Sequence, residues 1–292
     1  MKISFEKLGK KRRLILKFES RVWSKKSLPT IGAVWSYLKK SKGALSVAEV
    51  RIDFVDTIWA EVPTLLAVAT LAGQTSRRTT IEFRFDGSGI VSAHQPQGDV
   101  QNYEGKLKFL SFLRSMSFFA SLPRDTRISL VNFEKDGEEA YQTYDTERFE
   151  RLVNGVSSQP FIQAVTLIPL NVMKASDFHQ ANADDINGSA RLKAKIKKIN
   201  ENAALNIASA GFHRGTMQRQ RILLSVDKIL QESLSNIIEH AYSQNEEDSH
   251  FAFYARIRNP NSTFEDEFKN GLYSSGDEFD ISKDVNWTEL YV

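Results

Sequence analysis

Hydrophobic residues in the first part of the chain occur in short runs, several of which alternate with polar residues as β-strands do. The segments MKISFEKL and RRLILKFE are rich in Ile, Leu and Phe and are separated by the turn-like LGKKR, so they predict two strands. In VAEVRIDF and TTIEFRF, apolar residues alternate with charged ones. This alternation predicts two further strands, and VAEVRIDF is expected to be half exposed.

Two segments between those strands have the spacing of helices. Residues 30–40 place four apolar side chains at helical intervals, and Pro29 precedes them as a helix entry residue. Residues 62–73, VPTLLAVATLAG, are apolar on nearly every side and predict a buried helix. The order strand, helix, strand predicts an α/β layer in which a helix covers the sheet.

The middle of the chain continues the mixture of helices and strands. Residues 107–122 carry an apolar stripe at helical spacing, which is typical of a core-facing helix rather than a cofactor pocket: Phe109, Phe112, Leu113, Met116 and Phe119. We also expect a strand at 127–133, a short helix at 145–152, an apolar strand at 161–172 ending near Pro169, and a helix at 190–209.

The segment near residues 219–243, QRQRILLSVDKILQESLSNIIEHAYS, predicts one amphipathic helix with two distinct stripes. Glu232, Asn236 and His240 are spaced by four residues and form a polar stripe. The other stripe is apolar and would face the core: Leu223, Val226, Leu230, Leu234, Ile237 and Ala241.

The polar stripe carries the chemistry of a magnesium nucleotide site. A structural helix more often places Lys/Glu pairs on its second face, whereas this one has a carboxylate, an amide and an imidazole. An amide oxygen such as that of Asn236 is a hard ligand for Mg²⁺. A carboxylate one turn away, as in Glu232, can orient or deprotonate an attacking water.

The run ESLSNIIEHAY resembles the N-box of the GHKL superfamily, which includes gyrase-type topoisomerases, sensor histidine kinases and anti-sigma-factor serine kinases. The pattern is most similar to that of the anti-sigma-factor kinases. This resemblance implies that Asn236 coordinates Mg²⁺ bound to ATP, that Glu232 is the general base, and that His240 lies next to the phosphates. The turn SQNEEDS and the predicted strand HFAFYARIR follow, as they do in that superfamily.

The first region resembles a STAS domain, a small α/β module of bacterial signalling, over about residues 1–120. The likeness is carried by EVRIDF, LLAVATLAG and TTIEFRF. In STAS domains a Ser or Thr near a helix start often accepts a phosphate. Thr57 and Thr64 lie in DTIWAEVPT, outside an Asp-Ser-Ser-Gly context, so the resemblance assigns neither of them as a phosphorylation site.

The sequence departs from the GHKL pattern after residue 258. An acidic stretch and then WTELYV follow, and the chain ends before the Asp-x-Gly-x-Gly motif and the glycine-rich lid. We therefore expect an incomplete ATP site, either because the chain is part of a longer ATPase or because nucleotide binding has been lost. FDGSG at residues 85–89 lies before the N-box and predicts a tight turn instead.

Composition excludes several classes of protein. The 292 residues include no cysteine, which excludes disulfides, thiol catalysis and cysteine-ligated zinc. The sequence also lacks HExxH, a phosphate loop and a dinucleotide fingerprint, which argues against zinc enzymes, P-loop NTPases and dinucleotide-binding enzymes. It has no long apolar span and no signal peptide, so we expect a cytoplasmic protein with no membrane partner. Residues 1–42 have 13 Lys/Arg against 2 acidic residues, whereas 245–292 have 4 against 11.

These observations predict an α/β protein: STAS-like α/β layers at 1–175, then the first part of a GHKL (Bergerat-type) α/β sandwich at 176–292, with the Asn- and Asp-rich residues 176–188 as linker. The predicted cofactors are ATP and Mg²⁺. Three functions remain open: a GHKL-type ATPase or serine kinase, a non-catalytic module that binds a STAS-like protein or a second copy, and a nucleic-acid-associated defence module suggested by the basic N-terminal region.

Overall fold

The computed structural model describes residues 1–40, 47–76, 78–87, 100–135, 138–156, 164–174, 197–199, 201–202, 217–236, 250–258 and 287–291. The chain forms two compact units, Met1–Phe161 and Ile162–Val292, and each combines helices with strands. The predicted α/β class is therefore confirmed. The domain boundary expected at 175/176 stays a prediction, and the strand at Ala164–Lys174 pairs within the second unit.

The first unit contains eight described strands and five described helices. In chain order they are β1 (Lys2–Leu8), β2 (Lys11–Lys17), β3 (Arg21–Val22), α1 (Ser24–Lys40), β4 (Val47–Asp53), β5 (Trp59–Ala60), α2 (Val62–Thr75), β6 (Thr80–Asp86), α3 (Val100–Ser115), α4 (Phe118–Ser121), β7 (Arg127–Lys135), β8 (Glu138–Tyr144) and α5 (Thr146–Val156).

Six of these strands form one sheet in the order β1-β2-β4-β6-β7-β8, and β3 pairs separately with β5. The pairs β2–β4, β4–β6 and β6–β7 are parallel, while the two outer pairs are antiparallel. Each parallel connection moves the chain one strand further in the same direction. Because such crossovers are right-handed, α1, α2 and α3 lie on one face of the sheet.

The face that packs against the helices is apolar and rich in phenylalanine. Phe83 of β6 makes an edge contact with Phe118 of α4, with ring centroids 5.6 Å apart. Phe85 contacts Phe119 of α4 at 5.7 Å and Phe149 of α5 at 5.9 Å. All five rings are fully buried, so this cluster joins the strands to the later helices.

The helix predicted at 30–40 begins earlier, at Ser24, and Pro29 lies inside it. The backbone N–H of Ser24 donates to the side chain of Glu61, which satisfies one of the free N–H groups of the first turn. Pro29 removes one intrahelical hydrogen bond near this end. The interpretation of Pro29 as the entry residue was therefore wrong.

Two other details differ from the sequence-based elements. The stripe predicted at 107–122 is divided between α3 and α4, because Ser117 adopts a left-handed conformation with φ of 61°. Its members Phe109, Leu113, Met116 and Phe119 are nevertheless buried, as predicted. Strand β8 was not predicted, and it pairs with β7 along the edge of the sheet.

The second unit contains a three-stranded antiparallel sheet and one long helix. The elements whose bounds are described are β9 (Ala164–Lys174), α6 (Met217–Asn236), β10 (His250–Arg258) and β11 (Trp287–Tyr291), and the strand order is β11-β10-β9. The strand expected to end near Pro169 continues through it. The register with β10 shifts beside Pro169, between the pairs Asn171–Phe253 and Ile168–Ala255, where a residue without an N–H can be accommodated.

Candidate functional site

Helix α6 packs its predicted apolar stripe against the three-stranded sheet. Val226 and Leu230 are 2% and 0% exposed and lie in one buried cluster with Ile168 of β9 and Phe253 of β10. Leu223, one turn earlier, is partly buried against the same cluster. The helix forms here because residues at three- and four-residue intervals bury apolar surface together.

The polar stripe of α6 is only partly within the described residues. Glu232 is exposed, and it lies about 200° around the helix from the buried Leu230. Asn236 follows one turn later and is the last residue of α6, about 6 Å further along the helix axis. His240, and the residues 237–243 expected to extend the helix, lie outside the described residues.

The exposed face of α6 leaves Glu232 available to a ligand. Among the described residues no cation forms an ion pair with its carboxylate, whereas its neighbour Gln231 donates to Asp227 at 2.9 Å. The same face carries two large apolar side chains, Leu224 and Ile229, which are 68% and 46% exposed. The roles predicted for Glu232, Asn236 and His240 stay predictions.

The acidic residue of FDGSG has a structural role. Asp86 ends β6, is buried and forms an ion pair with Lys106 of α3. The backbone N–H of Gly87 then donates to the carbonyl of Val131 at 2.6 Å. These contacts fix the end of β6 beside β7, and residues 88 and 89 lie outside the described residues.

The two threonines considered as phosphate acceptors are both buried. Thr57 is 1% exposed and donates to the carbonyl of Glu19 at 3.0 Å. Thr64 is 0% exposed and its hydroxyl lies 2.6 Å from that of Ser27. Both hydroxyls are therefore shielded from solvent within the first unit.

The sheet face opposite the described helices α1, α2 and α3 carries a row of alternating charges, which the sequence analysis missed. Arg13 of β2 forms an ion pair with Glu49 of β4, and Arg51 of β4 donates to Glu82 of β6 at 2.7 Å. Ser129 of β7 donates to the same carboxylate at 2.8 Å. Each charge therefore has a partner on a neighbouring strand.

The pKa of Arg13 reflects its hydrogen bonds to neighbouring carboxylates. Burial alone would lower the pKa of its guanidinium, but hydrogen bonds to Glu49 and Glu6 outweigh that effect, and the pKa lies above its usual value. The alternating charged residues of VAEVRIDF indicated a charged sheet face. Which residues of β2 and β6 pair with them could be found only from the strand register.

The first unit also contains an open cleft of about 650 Å³ at the amino ends of the parallel strands. Its described lining is mostly polar and includes three cations. The described lining residues are Lys11, Val47, Ala48, Ser76, Arg78, Thr79, Thr80, Asp125 and Arg127.

Within the part of the chain that the structure describes, no group of three or more His, Asp or Glu side chains is arranged to hold a metal ion. None of the described helices combines the length and the apolar character needed to cross a bilayer.

No family model, no curated protein and no solved structure matches the chain. Any functional assignment therefore rests on the residues and contacts given above.

Proposed function

We propose that the second unit binds Mg-ATP in the manner of GHKL-type regulatory ATPases and serine kinases, and that α6 is its N-box helix. The observation that carries this proposal is the division of α6 into two faces. Val226 and Leu230 are buried against the sheet, while Glu232 is exposed on the other side, one turn before Asn236. An antiparallel sheet under an amphipathic helix also suits the resemblance.

The proposed roles follow from side-chain chemistry. Asn236 would provide an amide oxygen to the metal, and the Glu232 carboxylate would accept a proton from the attacking water or hydroxyl. His240 would donate to the phosphates. Bound Mg²⁺ would supply charge neutralisation at the phosphates. The solvent-exposed carboxylate of Glu232 fits a role toward a ligand better than a role in the core.

We further propose that the first unit is a STAS-like regulatory region in a cytoplasmic protein. Its support is the run of parallel strands β2, β4, β6 and β7 with helices on one face. The exposed strand β1 leaves one edge of this sheet accessible to a regulatory protein.

A second candidate function is a non-catalytic module in which α6 binds a protein partner. The exposed Leu224 and Ile229 favour this alternative, because large apolar side chains at a helix surface are common at protein interfaces. The partner would be a STAS-like protein or a second copy of the chain.

Calorimetric titration with Mg-ATP tests the proposal and separates it from the alternative. We compare the wild-type chain with Asn236→Ala and Glu232→Gln, and use Ser225→Ala, another exposed residue of α6, as the control. If Asn236 holds the metal, its variant loses Mg-ATP affinity while Ser225→Ala keeps it. Glu232→Gln should bind ATP normally but lose turnover.

Two results would contradict the nucleotide proposal. One is equal loss of affinity in Asn236→Ala and Ser225→Ala, which would indicate damage to the helix. The other is the absence of heat from any variant over the millimolar range of ATP. A mass that falls from dimer to monomer in Leu224→Ser would then support the protein-binding alternative.

A further inference from the structure

The cleft at the amino ends of the parallel strands has the lining of a phosphate-binding surface. Lys11 begins β2, Arg78 precedes β6 and Arg127 begins β7, and all three side chains are exposed. Asp125 is the only acidic lining residue among those described. Three cations against one anion give the cleft a net positive charge.

Hydroxyl groups lie between these cations. Ser76 follows α2, Thr79 precedes β6 and Thr80 begins it, and all three line the cleft. The hydroxyls of Ser76 and Thr79 donate to the carbonyls of Gly73 and Val47 at 3.3 and 3.4 Å, so a phosphate would compete with these long hydrogen bonds. All three lining residues are partly exposed. Hydroxyl and cationic side chains together are the usual donors to phosphate oxygens in nucleic-acid complexes.

Topology extends the positive charge beyond the cleft. The turn between β1 and β2 brings Lys10 and Arg12 to the same edge of the sheet, and α1 ends there with Lys39 and Lys40. Cations at the end of a helix complement its dipole, and this effect accounts for Lys39 and Lys40 without a ligand. Lys11 and Arg127 begin strands, so no helix dipole accounts for them.

We propose that the cleft at the amino ends of the parallel strands binds the phosphate backbone of a nucleic acid without reading its sequence. Lys11 and Arg127 belong to strands three spacings apart, about 14 Å across the sheet, which exceeds the size of a single phosphate and suits a chain of them. No aromatic residue is among the described lining residues, so they offer bases no stacking surface.

The same lining distinguishes a nucleic acid from a membrane. A peripheral membrane surface normally combines cations with exposed apolar or aromatic side chains that enter the lipid. The described cleft residues include only Val47 and Ala48 as apolar members, and Val47 is buried. The inference is independent of the ATP site, because every residue that carries it lies in the first unit.

The proposal gives a quantitative salt dependence. If Lys11, Arg78 and Arg127 neutralise three phosphates, log K should fall against log salt with a slope of about −2 for single strands and about −3 for duplexes. Binding should be independent of base composition. It should also persist without magnesium or nucleotide and in Asn236→Ala, so that failure of the ATP proposal leaves this result unchanged.

Fluorescence anisotropy with short labelled DNA tests the proposal on the full chain. The cleft variant is K11E/R78E/R127E, and the control K25E/K26E/R21E makes the same charge change with exposed cations at the start of α1 and in β3. We expect at least a tenfold loss of affinity in the cleft variant and less than a threefold loss in the control. Thermal melting verifies folding, and K11Q/R78Q/R127Q replaces a misfolded variant.

Three outcomes would overturn the proposal. If the wild-type chain does not bind DNA at low salt, the proposal is wrong. Equal losses in the cleft and control variants would show attraction to net charge alone. Binding of phosphatidylserine vesicles, but not DNA, with loss in the cleft variant would assign the surface to an anionic membrane instead.

Discussion

The side-chain carboxylate of Glu61 accepts a hydrogen bond from the backbone N–H of Ser24, so the residue that immediately precedes α2 caps the start of α1. Both residues are buried, at 6% and 5% exposure. Glu61 makes no side-chain cap to its own helix. The Glu61 side chain thus links the start of α2 to the start of α1 by a hydrogen bond. Its negative charge at the amino end of α1 is also favourable to the helix dipole.

Replacing Glu61 with Ala should lower the free energy of unfolding by about 1–3 kcal/mol, because the N–H of Ser24 would remain buried without its acceptor. Glu61→Gln keeps an acceptor oxygen and should lose less. Urea unfolding measures both. Glu147→Ala, an exposed residue in the first turn of α5, is the control and should change stability by less than about 1 kcal/mol. Equal losses at the two sites would contradict the proposed cap.

Two helical glycines should respond to alanine in opposite ways. A Cβ on Gly32 of α1 would meet no atom within 4 Å, so Gly32→Ala should stabilise by about 0.5–1 kcal/mol through helix propensity. A Cβ on Gly105 of α3 would lie 3.1 Å from the side chain of Ile58. This contact should cancel or reverse the gain.

Thermal unfolding of the two single variants measures the difference. The double variant Gly105→Ala/Ile58→Ala identifies its cause, because removing the opposing side chain should make the alanine at 105 favourable relative to Ile58→Ala alone. If Gly105→Ala is as stabilising as Gly32→Ala, the close approach of α3 to Ile58 is wrong.

The charged row on the sheet should show strong coupling between Arg51 and Glu82. The Glu82 side chain is 6% exposed and accepts hydrogen bonds from Arg51 and Ser129, so Glu82→Leu leaves two donors without their acceptor. We expect a loss of about 3 kcal/mol. Arg51→Met/Glu82→Leu should cost clearly less than the sum of the single variants. Additive losses in urea unfolding would show that the two charges act independently.

Tyr144 should make stability fall at alkaline pH. Burial raises the pKa of its phenol above the usual value near 10, so the folded chain holds this proton more tightly than the unfolded chain does. The corresponding stability is present below about pH 10 and is lost as the pH rises through the folded-state pKa.

Urea unfolding of wild type and Tyr144→Phe at pH 7 and near pH 11 tests this linkage. The variant also loses the hydrogen bond that Tyr144 donates to Gln142, so it should be less stable than wild type at pH 7, where the phenol is protonated. Wild type should lose more stability than the variant between the two pH values. A parallel decline in both proteins would show that other groups cause the alkaline loss.

Local patterns were enough to predict the elements whose burial depends on their own sequence. The alternation in VAEVRIDF and TTIEFRF gave β4 and β6, and the spacing of Val226 and Leu230 gave the buried face of α6. The exposure of Glu232 follows from the same helical period. The ATP-binding role of that face stays a prediction. The helical pattern shows which side chains are exposed, but it does not show which ligand they bind.

The features that sequence missed depend on partners far along the chain. The start of α1 is stabilised by Glu61, which lies 37 residues away from Ser24. Strand β8, EEAYQTY, has little apolar signal and is fixed by pairing with β7. The charge row and the cationic cleft arise from strand register, because they combine residues from β2, β4, β6 and β7.

The strand order of the first unit has a consequence for how the chain folds. Each of β2, β4, β6, β7 and β8 lies next to the strand that precedes it among the six strands of this sheet. A new strand therefore finds its docking edge already formed and never has to insert between strands that are paired. Because ribosomes release about 5–20 residues per second, the sheet can grow outward strand by strand during synthesis, before the second unit has left the ribosome.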